Sequence, residues 1–212
     1  MATLLLLIGL GPFLEGAAWG AASVRVLLLA SLCAAVFSCA SSRRQLVAYM
    51  ALAVPAVASG AIWWATEAEF IRYVYFVSSS ACCVFVVVLI LRQIIQARTI
   101  SSDTIHGAVA VYLLLGLLWT FAFAVLEVAA RGSFDFGDRL VAGEGGIGLI
   151  RQLLGFSFTT LTTLGYGNIS PMTPRADALA TLEAIVGQLY LAVLVARLVG
   201  MHVGQAMENS RR

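Results

Sequence analysis

The sequence predicts an all-α membrane protein with six transmembrane helices and a re-entrant loop between the fifth and the sixth. Of its 212 residues, 61% are hydrophobic and 11% are charged, and the mean hydropathy is +0.95. Ordinary soluble domains carry about 25% charged residues. The apolar residues lie in runs of roughly 20, the length that a spanning helix needs. The segment that separates the last two runs ends in a stretch rich in Gly, Ser, Asn and Pro.

Six apolar segments meet the length requirement for a membrane span. They are Thr3–Ala22, Val24–Ala40, Gln45–Thr66, Phe70–Ala97, Thr104–Ala130 and Arg175–Val203. We expect residues 1–100 to form a peripheral membrane domain of four helices. Residues 101–205 form a second domain that holds the last two spans and the segment between them. Residues 206–212 form a cytoplasmic tail.

The segment between the fifth and sixth spans changes character along its length. Arg131–Gly148 is rich in Gly and charge and is predicted as a loop. Leu149–Leu161 is amphipathic but too short to span, and Gly165–Pro174 contains too many helix-breaking residues to be helical throughout. Non-helical backbone is tolerated at membrane depth only where protein buries it or where it lines a watery cavity. The position of this segment therefore predicts a pore.

A motif spans the end of the short helix and the residues after it: residues 159–168 read TTLTTLGYGN. The stretch Thr163–Gly167 resembles the TVGYG signature of the potassium channel family, with Leu164 in place of Val. Asn168 stands where that family most often has Asp. The resemblance is specific over about Arg151 to Gly200, and the sixth segment looks like the inner helix of bacterial channels with a two-helix pore. The first hundred residues carry only a general similarity to six-helix channels.

The resemblance implies a selectivity filter in which backbone carbonyls replace the hydration shell of K⁺. Its ion-binding residues would be Thr163, Leu164, Gly165, Tyr166 and Gly167. The carbonyls of the first four would face the ion, and the Thr163 hydroxyl would add the innermost ring of ligands. Tyr166 would point away from the ion path. Leu149–Leu161 would be the pore helix, whose C-terminal dipole favours a cation. The predicted supporting residues are Thr159, Thr160, Thr162, Asn168 and Glu183.

The sixth segment carries the remaining candidates. Gly187 stands where the family has a hinge in its inner helix, although close helix packing explains a membrane glycine nearly as well. If it is a hinge, one helical stripe would line the cavity and gate: Gln188, Leu191, Val195 and Val199. Glu183 lies one turn above Gly187, and we expect it to bond Thr159 or Thr160 behind the filter. Arg197 should face away from the pore.

One filter motif per chain predicts a homotetramer, because a ring of carbonyls needs four copies. The function expected from the resemblance is passive, potassium-selective conduction, with K⁺, membrane lipids and the chain itself as partners, no cofactor and no enzymatic activity. The net charge of +2 is too small to indicate nucleic acid. The alternatives are a non-selective cation channel and a non-conducting transport or scaffold subunit.

The fourth span is poor in arginine, whereas voltage-sensing helices are rich in it. Only Arg72 and Arg92 lie within Phe70–Ala97, one near each end, so strong voltage gating is not expected. A weak excess of Arg on one side agrees with the family's loop entering from outside. This orientation predicts a multi-pass membrane protein with its N- and C-termini in the cytoplasm, and the resemblance to bacterial channels implies a prokaryotic cell membrane.

Overall fold

The computed structural model describes residues 43–66, 68–96, 102–137 and 145–210, which are mainly helical. The helices are α1 (Arg43–Thr66), α2 (Glu69–Gln96), α3 (Ser102–Ala129), α4 (Gly145–Leu161) and α5 (Pro174–Ser210). The two short strands are β1 (Phe134–Asp135) and β2 (Ser170–Pro171). Every helix except α4 is long and apolar enough to cross a membrane. The chain is thus a mainly α-helical, multi-pass membrane protein, and its predicted first two spans, Thr3–Ala22 and Val24–Ala40, lie outside the described residues.

The other predicted spans correspond to α1, α2, α3 and α5, and their ends lie within two residues of the predicted ones except at the end of α5. The short helix α4 begins at Gly145 rather than at Leu149, so the end of the predicted loop Arg131–Gly148 is helical instead. The last helix continues past Val203 to Ser210, into the predicted tail.

The first three described helices pack as a layer in which α2 lies between α1 and α3. An aromatic cluster joins them: Trp63 of α1, Tyr75 and Phe76 of α2, and Phe121 of α3 lie with ring centroids 5.4–6.4 Å apart. Lipid tails are as apolar as these rings, so close packing rather than burial from water holds such helices together. The layer gives α4 and α5 a firm surface to pack against.

The short helix α4 packs against α3 on one side and α5 on the other. Phe156 of α4 meets Phe123 of α3 and Phe134 of β1, with centroids 5.2–5.5 Å apart. Gly116 of α3 makes room for a second ring, because a Cβ at this position would lie within 2.5–2.9 Å of Phe158. These aromatic contacts fix the distance between α4 and α3.

A small antiparallel sheet, which the sequence did not predict, ties the chain after α3 to the chain before α5. In this sheet β1 pairs with β2, and the N–H of Met172 donates to the carbonyl of Ser133 at 2.8 Å. The carboxylate of Glu127 accepts the N–H groups of Gly132 and Phe134 at 2.8 and 3.1 Å, which closes the turn after α3. The segment that follows the motif is therefore anchored at both of its ends.

The start of α5 is sharply defined. Pro174 occupies the first helical position, where its missing N–H costs nothing. The Thr173 hydroxyl accepts the N–H of Ala176 at 3.3 Å, and the Thr173 carbonyl accepts that of Asp177 at 3.0 Å. Asp177 in the first turn also complements the positive end of the helix dipole.

Candidate functional site

The motif begins where α4 ends, and its backbone N–H groups are bonded back onto that helix. Thr163 N–H donates to the Thr160 carbonyl at 3.0 Å. Leu164 and Gly165 donate theirs to the Thr159 carbonyl at 2.8 and 3.1 Å. This is the Schellman pattern of helix termination, with Thr163 at the left-handed position that glycine usually holds. The cap ends α4 and holds the first residues of the motif against the last turn of that helix.

The same bonds fix the direction of the motif's carbonyl groups. In a trans peptide the C=O of one residue points opposite to the N–H of the next, and the described residues contain no cis peptide. Because the N–H groups of residues 163–165 face α4, the carbonyls of Thr162, Thr163 and Leu164 point away from it. In the described part of the chain, the carbonyl oxygens of residues 163–166 accept no hydrogen bond. They form a row of unsatisfied acceptors.

Alternate residues of the motif have left-handed backbone. The φ angles are 58° at Thr163, 54° at Gly165 and 71° at Gly167. Residues of alternating handedness turn successive peptide groups the same way, whereas extended backbone turns them to opposite sides. Glycine adopts these angles freely, but for Thr163 the conformation costs roughly 1–2 kcal/mol. Positive φ at Gly165 and Gly167 is what one-sided carbonyls require of the glycines, and the direction of the carbonyls of residues 165 and 166 stays a prediction.

The side chains of the motif are exposed within a single chain. Tyr166 is 72% and Leu164 56% exposed. Neither therefore finds its packing within its own chain. Asn168 is exposed as well. If Tyr166 wedges the motif in place, as expected, the atoms that it contacts must belong to another molecule.

Two of the threonines predicted to support the motif bond their own helix. The Thr159 hydroxyl donates to the Phe156 carbonyl at 2.9 Å, and the Thr162 hydroxyl donates to the Phe158 carbonyl at 2.6 Å. Thr160 is half-buried near the end of α4. The Phe158 carbonyl also accepts the backbone N–H of Thr162 at 3.1 Å, so the Thr159 and Thr162 hydroxyls add side-chain bonds to the last turns of α4.

Glu183 is fully buried, with 0% of its surface exposed, but its predicted partners were wrong. Its carboxyl oxygen Oε1 lies 2.5 Å from the Ser157 hydroxyl rather than near Thr159 or Thr160. Ser157 is two and three residues before those threonines, so on a helix it faces another direction. The contact still joins α5 to α4, as a bridge behind the motif requires.

Gly187 lies against the end of α4. It is buried, and a Cβ at this position would come within 2.5 Å of the Leu161 carbonyl oxygen. The same oxygen accepts the Tyr112 hydroxyl of α3 at 3.2 Å. The helix α5 continues without interruption through Gly187. Close packing, the alternative to a hinge, has direct support in these contacts, while the hinge remains a prediction.

The faces of α5 differ strongly in burial. One narrow face is covered by α3 and α4: Ala176, Ala180, Glu183 and Gly187, continued by half-buried Tyr190 and Leu194. The predicted cavity stripe is exposed throughout, at Gln188, Leu191, Val195 and Val199. Other faces, including Leu182 and Val193, are exposed too, so exposure alone does not single out the stripe. The Arg197 guanidinium donates to the Ile95 carbonyl at the end of α2, 2.8 Å away.

Three residues of this region were missed by sequence reasoning: Tyr112, Gly116 and Ser157. The Tyr112 and Ser157 hydroxyls donate to the carbonyls of Leu161 and Gly116, and Gly116 leaves room for the Phe158 ring. One signal was available, because Tyr112 and Gly116, Ser157 and Leu161, and Glu183 and Gly187 are all four residues apart. Such pairs lie on one helix face. The sequence does not show, however, that the three pairs lie at the same level along the helix axes and so contact one another.

Comparison with known proteins gives two matches. Residues 151–203 match the model of a family described as "Ion channel", which covers most of α4, the whole motif and most of α5. Over 38 residues the chain is 53% identical to the inward rectifier potassium channel Kirbac3.1 of Paramagnetospirillum magnetotacticum. That match covers 18% of this chain and 13% of that relative, a small part of its length. No solved structure gives a significant match. These matches show similarity to ion channels over residues 151–203 and to a potassium channel over 38 residues.

Proposed function

We propose that the protein is a potassium-selective channel in which four identical chains surround one pore and conduct K⁺ passively. One observation carries this proposal: the carbonyls of Thr163, Leu164, Gly165 and Tyr166 accept no hydrogen bond in the described part of the chain. Alternating left-handed backbone at Thr163, Gly165 and Gly167 accompanies these free acceptors. Rows of carbonyl oxygens that replace water around the ion are the means by which potassium filters select.

The unsatisfied carbonyls also argue for assembly. An unpaired backbone acceptor in the membrane interior costs several kcal/mol, so such backbone must line water or be covered by protein. One chain supplies one row of oxygens, whereas an ion stripped of water needs oxygens on all sides. Four copies around an axis supply them, and neighbouring copies would cover Tyr166 and Leu164, which one chain leaves exposed. In this arrangement α4, the motif and its return to α5 form the re-entrant loop.

In this arrangement the positions of α4, α5 and Arg197 define their roles. The C-terminal end of α4 would direct its partial negative charge toward the ion path. The exposed stripe of α5 would line the cavity below the filter: Gln188, Leu191, Val195 and Val199. Arg197 would stay out of that cavity, because its guanidinium is held at the end of α2. No cofactor is needed for conduction.

Weak voltage dependence is part of the proposal. Steep voltage gating needs several charges that move through the membrane field, each worth about 2.3 kcal/mol per 100 mV. The helix α2 holds two arginines near its ends, and Arg72 lies 3.7 Å from the carboxylate of Glu69. Currents in a planar bilayer should therefore rise without a steep, saturating activation curve.

The direct test is ion flux from liposomes that contain the purified protein. We expect thallium or potassium flux, and reversal potentials in mixed potassium and sodium that follow the potassium gradient. Reversal near zero in symmetric total cation would support the alternative, a non-selective cation channel. Absence of flux from correctly assembled protein would support the non-conducting transport or scaffold subunit.

A matched pair of variants ties the flux to the motif. Gly165 and Gly132 have left-handed backbone, with φ of 54° and 80°, and neither has an atom of its own chain within 4 Å of an added Cβ. Gly165→Ala and Gly132→Ala thus impose a similar local strain of roughly 1–2 kcal/mol. We expect loss of potassium flux only in Gly165→Ala. Equal effects of the two variants would contradict the assignment of residues 163–167 to the ion path.

A further inference from the structure

Three helices meet behind the motif in two layers, one helical turn apart. Each helix contributes a pair of residues with a spacing of four: Tyr112 and Gly116 on α3, Ser157 and Leu161 on α4, and Glu183 and Gly187 on α5. In one layer the Leu161 carbonyl meets the Tyr112 hydroxyl and the backbone of Gly187. In the other layer the Ser157 hydroxyl lies between the Gly116 carbonyl and the Glu183 carboxyl group.

In the second layer the Ser157 hydroxyl faces two acceptors, of which the Gly116 carbonyl also accepts the Thr120 hydroxyl at 2.7 Å. Ser157 Oγ lies 2.8 Å from the carbonyl oxygen of Gly116 and 2.5 Å from Oε1 of Glu183. Both are hydrogen-bond distances between oxygen atoms, and each such contact needs one proton between its atoms. A serine hydroxyl has one proton, and a carbonyl has none. When Ser157 donates to Gly116, the proton of the second bond must come from Glu183.

Burial supports the same conclusion. Glu183 is 0% exposed, and its second oxygen, Oε2, has no hydrogen-bond partner among the described residues. In that part of the chain the salt bridges are those of Glu69 with Arg72 and Arg131, so no cation compensates Glu183. An unpaired buried carboxylate is far more costly than a buried neutral acid. Because its own chain covers Glu183 completely, a neighbouring copy cannot provide the missing partner.

We propose that Glu183 is a protonated positioning residue. Its carboxyl proton is donated to the Ser157 hydroxyl, which donates to the Gly116 carbonyl. These two hydrogen bonds, here called the proton chain, join α5, α4 and α3. The proton chain fixes the position of α4 along the axes of α3 and α5. Leu161, one turn further along α4, is held in the other layer, by Tyr112 and Gly187. The motif starts in the turn after Leu161, so the position of its carbonyls depends on the contacts of α4 with α3 and α5. This last consequence, unlike the protonation itself, rests on the proposed function.

Infrared difference spectroscopy of the purified, assembled protein tests the protonation. Glu183→Gln should remove a band of a protonated carboxylic acid from the wild-type spectrum near neutral pH. Glu127→Gln is the matched control, because each Glu127 carboxyl oxygen accepts a backbone N–H group and neither has to donate a proton. Its loss should remove carboxylate bands instead. Loss of a carboxylate band from Glu183→Gln would overturn the proposal.

Thermal unfolding tests the proton chain independently. A glutamine side chain has amide N–H donors that can replace the proton of the acid, whereas alanine leaves Ser157 with one partner fewer. We expect Glu183→Gln to keep most of the wild-type midpoint and Glu183→Ala to lower it by several degrees. Equal loss in both variants would refute the proton chain. If Glu183→Ala does not fold, the infrared result and the midpoint of Glu183→Gln still decide. A wild-type protein without flux would refute the channel but leave the infrared result unaffected.

Discussion

The contact between Gly187 and Leu161 leads to a prediction that separates packing from hinging. Gly187→Ala would place a Cβ 2.5 Å from the Leu161 carbonyl oxygen and 2.9 Å from a methyl carbon of the same residue. Ordinary contact begins at 3.4 Å, so α4 and α5 must separate by about 0.9 Å at this point. Backbone cannot rotate aside as a flexible side chain can. The end of α4 must therefore move, together with its bond to Tyr112.

The expected magnitude is the balance of two effects. Overpacking of a tight contact costs typically about 1–3 kcal/mol. Replacing glycine by alanine in a helix returns up to about 1 kcal/mol. Gly187→Ala should thus lower the free energy of unfolding by about 1–2 kcal/mol. Gly200→Ala is the control in the same helix, because nothing in its own chain lies within 4 Å of an added Cβ. It should be neutral or slightly stabilising.

The assay compares unfolding midpoints of both variants in the same detergent, followed by liposome flux. If Gly187 served only as a hinge, alanine would stiffen α5 without destabilising it, and flux would change while the midpoint did not. A midpoint of Gly187→Ala equal to that of Gly200→Ala would refute the packing interpretation. A lower midpoint with reduced flux would support it.

Two further predictions concern Thr163 and Arg197. Thr163→Gly removes the cost of a left-handed threonine (φ 58°) but adds the entropy of glycine, so the free energy of unfolding should change by less than about 1 kcal/mol. Discrimination between potassium and sodium, measured by reversal potential, should nevertheless fall with loss of the hydroxyl ring; an unfolded variant or unchanged selectivity would contradict this. Arg197→Gln removes the charged donor at the Ile95 carbonyl and should lower stability by roughly 1–2 kcal/mol, with Arg197→Lys intermediate because it keeps a cation near the end of α2. Unfolding midpoints check the order, and Arg197→Gln as stable as the wild type would disprove the role of this bond.

The sequence by itself determined the membrane class and the place of the motif. Long apolar runs have few alternatives to a spanning helix, so the spans corresponding to α1, α2, α3 and α5 could be predicted to within a few residues at most ends. Glycine and proline likewise indicated that Gly165–Pro174 is not helical throughout, since both residue types weaken a helix through local properties of the backbone. Local physics of this kind can be read from the chain.

Only the tertiary structure decided which atoms meet behind the motif. Helical periodicity correctly placed Glu183 and Gly187 on one face, but the height at which α4 crosses α5 depends on side-chain packing along both helices. Thr159 and Thr160 lie about 200° and 300° around α4 from Ser157, so the rotation of α4 against α5 decides which of them meets Glu183. The sequence does not give this rotation, which is why that prediction was wrong. The pairing of β1 with β2, two residues each, is likewise invisible in so short a pattern.

The left-handed conformation of Thr163 shows the same division. From sequence, threonine is a poor candidate for that backbone region, and glycine alone would be expected there. The structure places Thr163 in it because three N–H groups bond back onto the end of α4, and together these bonds outweigh the local strain. Sequence thus determined what each segment is by itself. The contacts between segments decided how the carbonyls of residues 163–166 are presented, because many weak interactions between distant residues set that geometry together.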